Sequence, residues 1–136
     1  MNIYSYLTFN GNCRQAMTFY QKCLGGKLTF HTVSKTPAAL ALPRVARKYI
    51  VQATLRNQAF VLVGTDMVGE QGLLKGNAVG MLLHCKTKRH AKTIYSRLSR
   101  SGHKTQPLAK NYYGVIMGSV TDKYGYHWIL TASQHD

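Results

Sequence analysis

The 136-residue sequence predicts an α+β fold in which one βαβββ unit is used twice. The segment Ala16–Tyr20 (AMTFY) recurs as Ala91–Tyr95 (AKTIY), and each copy follows a short apolar stretch and precedes a glycine stop. Each half then continues into more strand-like sequence, and neither half can bury its apolar face alone. We therefore expect a single domain over residues 1–136, made of repeats at about 1–70 and 76–136.

The first half begins with a strand at residues 4–9. Asn12 is a candidate N-cap for the helix that follows, with Gln15 as its capping-box partner. The spacing of apolar residues predicts one buried helical face, ended by Gly25 and Gly26. A strand at 27–33 comes next, and a loop at 36–46 holds two prolines that exclude a central strand. Strands at 49–55 and 59–63 form a hairpin, and a glycine-rich linker follows at 64–77.

The second half repeats this order. A strand is predicted at 79–85, and Thr87 is a candidate cap for the next helix. The buried stripe of that helix is Ala91, Ile94, Tyr95 and Leu98, with Gly102 as its end. Three closing strands are predicted at 104–108, 114–121 and 127–131. The last two are joined by a turn in which Asp122 bonds its own backbone and Gly125 takes a positive φ.

The composition is strongly basic, with 18 Lys and Arg against four Asp and Glu and a formal net charge of +14. Such a surface attracts anions, and nucleic acid is the first to consider. Most of the cations are scattered over different loops, only residues 86–104 are densely basic, and no helix-turn-helix, zinc-finger, KH or RRM signature is present. The sequence therefore favours a solvated basic face, with a nucleic-acid-associated protein kept as an alternative.

Three cysteines without zinc spacing predict free, mostly buried thiols rather than a disulfide framework or metal site. No apolar run approaches the ~18 residues of a membrane helix, and the N-terminus lacks the pattern of a secretory signal. We therefore expect a cytoplasmic protein with no membrane partner. No P-loop, G-x-G-x-x-G or G-x-S-x-G string is present, so the sequence shows no cradle for a nucleotide or methyl-donor cofactor.

Three motifs, together with the repeat, resemble the vicinal oxygen chelate superfamily of glyoxalases, extradiol dioxygenases and bleomycin-resistance proteins, and its PhnB-like branch in particular. They are Tyr6–Cys13 continuing through Phe19-Tyr20 to Leu24-Gly25-Gly26, then Tyr113-Gly114 with Gly118, and Asp122–Trp128. The resemblance implies a glyoxalase/bleomycin-resistance fold. In that fold two βαβββ modules form a curved mixed sheet, helices cover its convex face, a ligand occupies the concave face, and two chains commonly form a homodimer.

Metal-dependent members of that superfamily carry His or Glu at positions that correspond here to Ser5, Gln52, Gly80 and Ile129. A catalytic divalent metal needs about three His, Asp or Glu donors, and these four residues do not supply them. The resemblance therefore implies a member that uses no metal and no cofactor.

Strand alternation places His84 on the face of Gly80, and His127 with Thr131 on the face of Ile129. Gln52 and Thr54 share a face by the same argument. Tyr113 stands before a glycine, where relatives often carry an aromatic residue at the pocket mouth. The candidate ligand-binding residues are Ser5, Gln52, Thr54, His84, Tyr113 and His127, with structural roles for the two histidines and ordinary packing for Tyr113 as the alternative interpretations. The sequence does not identify catalytic residues and leaves open whether the protein is an enzyme.

The sequence supports three hypotheses about function. The first is a metal-free protein that binds, and as in resistance proteins sequesters, a small anionic or neutral aromatic ligand, because a positive net charge repels cationic drugs at long range. The second is a metal-dependent lyase or dioxygenase with the atypical ligand set His84, His127 and Gln52. The third is a basic protein that binds nucleic acid through residues 86–104.

Overall fold

The computed structural model describes residues 1–35, 37–41 and 43–133. The chain divides into two compact units, Met1–Leu74 and Lys75–Asp136. Each unit carries one four-stranded mixed sheet in the order strand, helix and three further strands. This arrangement confirms the predicted fold class. The extent of the single domain over residues 1–136 stays a prediction.

The first unit contains one long helix and four strands. Its elements are β1 (Ser5–Thr8), α1 (Cys13–Leu24), β2 (Lys27–Thr32), 3₁₀ turns at Val33–Lys35 and Pro37–Ala41, α2 (Arg44–Arg47), β3 (Ile50–Arg56) and β4 (Val61–Thr65). The strands lie in the order β1-β4-β3-β2, and β1 runs parallel to β4 while the other pairs are antiparallel. The segment predicted as a proline loop holds the second 3₁₀ turn and α2, and Thr36 and Leu42 in it lie outside the described residues.

Helix α1 packs on one face of this sheet, and the contact requires a glycine in β4. A Cβ on Gly64 would come within 2.9 Å of Met17 Sδ and 3.1 Å of Cys13 Sγ. Leu7 and Ala53 pair with Gly64 across the sheet and are buried on the same face. The buried stripe of α1 contains Cys13, Ala16, Met17, Tyr20 and Cys23.

The N-terminus of α1 differs from the prediction. The Asn12 side chain makes no capping hydrogen bond, so the capping box with Gln15 is wrong. Asp66, which follows β4, takes over this role. Its Oδ1 accepts from the backbone N–H groups of Gly11 and Cys13, each at 2.9 Å. Because a helix N-terminus favours a negative charge, a buried carboxylate is an effective substitute for the local cap.

The second unit repeats the order of the first. Its elements are β5 (Met81–Cys85), α3 (Lys88–Leu98), β6 (His103–Lys110), β7 (Ile116–Thr121) and β8 (His127–Ala132). The strands lie in the order β5-β8-β7-β6, with β5 parallel to β8. The predicted stripe of α3 is buried, and Thr87 caps the helix as predicted, since its hydroxyl accepts from His90 N–H at 3.1 Å.

A buried carboxylate also organises the turn before β8. Oδ1 of Asp122 accepts from the backbone N–H groups of Tyr124 and Tyr126, at 2.8 and 3.1 Å, and Oδ2 accepts from the Trp128 indole at 2.8 Å. Gly125 takes φ +89° in this turn. The predicted turn is thus confirmed. Asp122 is in addition a core residue, with 2% of its surface exposed.

Candidate functional site

Alternation along the strands of the second unit divides its sheet into two faces. Val120, Trp128 and Leu130 are buried on the face that packs with α3. The opposite face, called here the helix-free face, carries His84, His127, Ile129 and Thr131, together with the cross-strand neighbours Leu82, Ser119 and Thr121. The structure therefore brings the two candidate histidines onto one face of one sheet, with His127 four residues along β8 from Thr131, the partner of His84.

Both ring nitrogens of His127 make hydrogen bonds within the second unit. Its Nδ1 lies 2.9 Å from the Thr121 hydroxyl, and its Nε2 lies 3.2 Å from the Gly76 carbonyl oxygen. Because a carbonyl only accepts, we assign the proton of the neutral ring to Nε2, and Nδ1 then accepts from Thr121. A ligand or metal would have to displace one of these bonds, so the contacts of His127 fit the structural role.

His84 has a different arrangement. Its Nδ1 lies 2.9 Å from the hydroxyl of Thr131, its partner across β5 and β8. The side chain is exposed, and Nε2 has no hydrogen-bond partner within the part of the chain that the structure describes. The threonine fixes the ring orientation and leaves one nitrogen available. His84 can therefore offer a hydrogen bond to a ligand on the helix-free face.

Tyr113 lies in the loop between β6 and β7. The loop is held by Asn111, whose Oδ1 accepts from the backbone N–H groups of Tyr113 and Val115 at 2.9 and 3.0 Å. Tyr112 and Tyr113 are 96% and 85% exposed, and their rings meet edge to face with centroids 5.5 Å apart. These tyrosines are not packed in a core, which leaves their ring faces open to a planar ligand.

In the first unit, Gln52 and Thr54 share the face opposite α1, and Gln52 Nε2 lies 3.4 Å from the Thr54 hydroxyl. The register of the β2–β3 pair adds His31 beside Gln52 and Thr29 beside Thr54. Sequence analysis missed these two residues. The signal that could have found them was the antiparallel pairing of β2 with β3.

Ser5 does not join Gln52 and Thr54. In the parallel pairing of β1 with β4, Ser5 is the partner of Leu62, and Leu7 is the partner of Gly64, which contacts α1. Since residues of equal parity share a face, Ser5 lies on the α1 side of the sheet. The structure thus corrects the placement of Ser5. Tyr6, paired with Val63, occupies the face of Gln52 and Thr54 instead.

No cluster of three or more His, Cys, Asp or Glu side chains occurs within residues 1–35, 37–41 and 43–133. The three cysteines are free and buried, as predicted. Burial, with a smaller contribution from the nearby Asp66 carboxylate, raises the pKa of the Cys13 thiol to about 12, and burial also raises the pKa of Cys85. Thiols with raised pKa values are weak nucleophiles, so the geometry does not favour cysteine chemistry.

The fold is that of the glyoxalase/bleomycin-resistance proteins, in agreement with the vicinal oxygen chelate resemblance. A glyoxalase/bleomycin resistance protein from Albidiferax ferrireducens T118 matches with a TM-score of 0.63 and 12% identity, over 97% of this chain and 99% of that chain. An identity this low supports the fold alone. No helix among the described residues is long and apolar enough to cross a membrane.

The sequence model of the family described as 3-demethylubiquinone-9 3-methyltransferase matches residues 1–131, and the chain belongs to this family. The chain is 25% identical to Protein YjdN of Escherichia coli K12 over 146 residues, covering 96% of this chain and 94% of the relative. Protein PA1353 from Pseudomonas aeruginosa matches with a TM-score of 0.86 and 27% identity, over 98% of both chains. A Bacillus cereus structure called a putative 3-demethylubiquinone-9 3-methyltransferase, PhnB protein, matches with a TM-score of 0.74 and 21% identity, over 98% and 100% of the two chains.

The family description implies a methyl donor, and the acidic residues within the described part of the chain do not fit one. A nucleoside donor with a sulfonium cation calls for an acidic side chain near its ribose hydroxyls and cationic centre. Asp66 and Asp122 are buried and accept hydrogen bonds from the protein's own N–H groups. Glu70 is exposed in the linker after β4, and the net charge of +14 repels a cation. We therefore derive no methyl-transfer step from this site.

Proposed function

We propose that the protein binds a small anionic or neutral aromatic molecule without a metal ion, and that His84 is the main hydrogen-bonding group. The observation that carries the proposal is the hydrogen bonding of the two ring nitrogens of His84. Thr131 holds Nδ1 at 2.9 Å, while the exposed Nε2 has no partner among the described residues. An oriented imidazole with one available nitrogen is suited to hold a carboxylate, phosphate or phenol oxygen.

The charge of the chain supports an anionic ligand over a cationic one. The chain has eighteen Lys and Arg but only four Asp and Glu. Two of the acidic side chains, Asp66 and Asp122, are buried in structural roles. A positive field attracts anions and lowers the local concentration of cations. The Albidiferax protein is named for resistance to bleomycin, and sequestration of a drug by the present chain is compatible with this proposal only for a drug that is not cationic.

Tyr113 is proposed as a further ligand contact in the second unit, and Gln52 and Thr54 stay predicted ligand-binding residues of the first unit. Gln52 and Thr54 offer amide and hydroxyl groups on the face opposite α1, and Tyr113 offers an exposed ring. His127 is proposed as a rim group that shapes the face while its nitrogens stay bonded to Thr121 and Gly76. Ser5 is not part of this set. The cytoplasmic location and the homodimer stay predictions.

The alternative, a metal-dependent lyase or dioxygenase using His84, His127 and Gln52, receives less support. The donors do not fit a metal, because both nitrogens of His127 are engaged and Gln52 would supply only a neutral oxygen. Elemental analysis of protein purified without chelators tests this directly. A stoichiometric transition metal would favour the enzyme over the binder.

A titration with salicylate tests the proposal, with salicylamide as the neutral counterpart. We expect His84→Ala to weaken salicylate binding by about 10- to 100-fold, the equivalent of one hydrogen bond to a charged group. His90→Ala is the matched control, because His90 is an exposed histidine of the same unit that lies on α3. Equal affinity of both variants and wild type for salicylate, or no detectable binding of either compound, would contradict the proposal.

A further inference from the structure

The solvent side of α3 carries an uncompensated row of positive charge. Residues 86–104 contain seven Lys and Arg and no Asp or Glu. Ala91, Ile94, Tyr95 and Leu98 face inward. The outward cations on or just after the helix, called here the α3 cationic face, are Arg89, Lys92, Arg97 and Arg100, all of them exposed.

The N-terminal part of this arrangement does not stabilise the helix. The first turn contains no acidic residue, and Arg89 lies at the end where the helix dipole disfavours a positive charge. Arg89 and Lys92, and likewise Arg97 and Arg100, stand three positions apart, a spacing at which like charges repel. Lys104 differs, because its ammonium lies over the Tyr95 ring at 5.7 Å and so has a partner in the fold. Arg97 and Arg100 stand near the helix C-terminus, where the dipole favours a positive charge, so the cost falls on Arg89 and on the repulsion within each pair.

We propose that the α3 cationic face binds the phosphate backbone of nucleic acid. Arg89 and Arg100 are eleven positions apart, about 17 Å at 1.5 Å per residue. Duplex DNA presents one charge per about 1.7 Å of its axis, so the face spans about ten phosphate charges. Thr93 and Ser96, both exposed, lie between the cations and are small enough to let the phosphates approach.

The composition of the face distinguishes nucleic acid from an anionic membrane. A helix that lies in a membrane surface inserts large apolar side chains next to its basic ones. On α3 the large apolar side chains are Ile94, Tyr95 and Leu98, and all three are buried beneath the helix. The one tyrosine of α3, Tyr95, is buried and does not lie among the four cations to stack on bases. The proposed binding is therefore to the backbone and independent of sequence.

The test measures binding of a labelled 20-base-pair DNA duplex to the full chain by fluorescence anisotropy at several salt concentrations. If about four phosphates are neutralised, a plot of the logarithm of the association constant against the logarithm of the salt concentration should have a slope of about −3.6. The affinity should then fall about twelvefold between 100 and 200 mM salt. The variant Arg89→Gln, Lys92→Gln, Arg97→Gln, Arg100→Gln should lose more than tenfold in affinity at 150 mM and most of the slope. It should still melt cooperatively, because the substitutions remove only exposed groups.

The matched control removes four exposed cations from the first unit, as Lys27→Gln, Lys35→Gln, Arg44→Gln, Lys48→Gln. This variant has the same net charge as the α3 variant and should bind the duplex within about twofold to threefold of wild type. An equal loss in both variants would show generic charge attraction and overturn the proposal. Failure of wild type to bind the duplex at 150 mM would do the same, as would binding to phosphatidylserine vesicles but not to DNA. Salicylate binding through His84 is measured separately, so the two proposals can fail independently.

Discussion

Substitution of Asp66 should destabilise the first unit more than any surface change. The carboxylate accepts three backbone N–H groups at 2.9 Å, from Gly11, Cys13 and Ile50, and thereby joins the start of α1 to the start of β3. In Asp66→Ala the buried donors of Cys13 and Ile50 lose their partner. At about 1–3 kcal/mol for each unsatisfied buried group, the expected loss in the free energy of unfolding is about 4 kcal/mol.

Asp66→Asn separates the effect of hydrogen bonding from that of side-chain size. The amide oxygen can keep the bonds to Gly11 and Cys13, but the amide nitrogen then faces the N–H of Ile50. One lost bond predicts a destabilisation of about 2 kcal/mol. Urea unfolding followed by far-UV circular dichroism measures both values, with Glu70→Ala as an exposed acidic control expected within about 0.5 kcal/mol of wild type. A loss below about 1 kcal/mol in Asp66→Ala would refute the assignment of Asp66 as the linking group.

Three further predictions concern stability and reactivity. Gly118→Ala should cost about 1–3 kcal/mol in urea unfolding, because a Cβ there would lie 2.8 Å from the Leu108 Cα, whereas Gly69→Ala, with nothing within 4 Å, should be near neutral. Thr87→Ala should lower the free energy of unfolding by about 1 kcal/mol, because it removes the α3 cap. Asn12→Ala removes no cap bond and should change thermal stability by much less. Equal effects of the two substitutions would contradict the capping assignment. Burial raises the pKa of Cys13 from an unfolded value of 9.0 to about 12, so the stability that the protonated thiol contributes should be complete below pH 9 and decline as the pH rises toward 12. For the same reason, native Cys13 should resist iodoacetamide at pH 8 until urea unfolds the chain. Rapid native alkylation of Cys13 would contradict its burial.

Local patterns in the sequence were sufficient to predict the order of strands and helices in each half. The spacing of Ala91, Ile94, Tyr95 and Leu98 predicted the buried side of α3, and Thr87 was correctly predicted to cap it. These features depend on residues within a few positions of one another. The recurrence of strand, helix and three strands followed from the same local signals.

Features that depend on distant residues were missed. The cap of α1 comes from Asp66, 53 positions from Cys13, so a search within one turn found Asn12 and Gln15 instead. The bond from His127 to Gly76 joins residues 51 positions apart and was equally invisible. Ser5 was chosen because it corresponds to a ligand position of metal-dependent relatives, and only the pairing of β1 with β4, 57 positions away, shows that it lies on the α1 side.

The position of Trp128 has a practical consequence. It is the single tryptophan of the chain, and its indole is buried in the second unit against the Asp122 carboxylate. The intrinsic emission of the protein is therefore a local reporter of the turn before β8, while the first unit contributes only tyrosine signal. Comparing emission with circular dichroism during unfolding would show whether the two halves melt together or in sequence, without any attached dye.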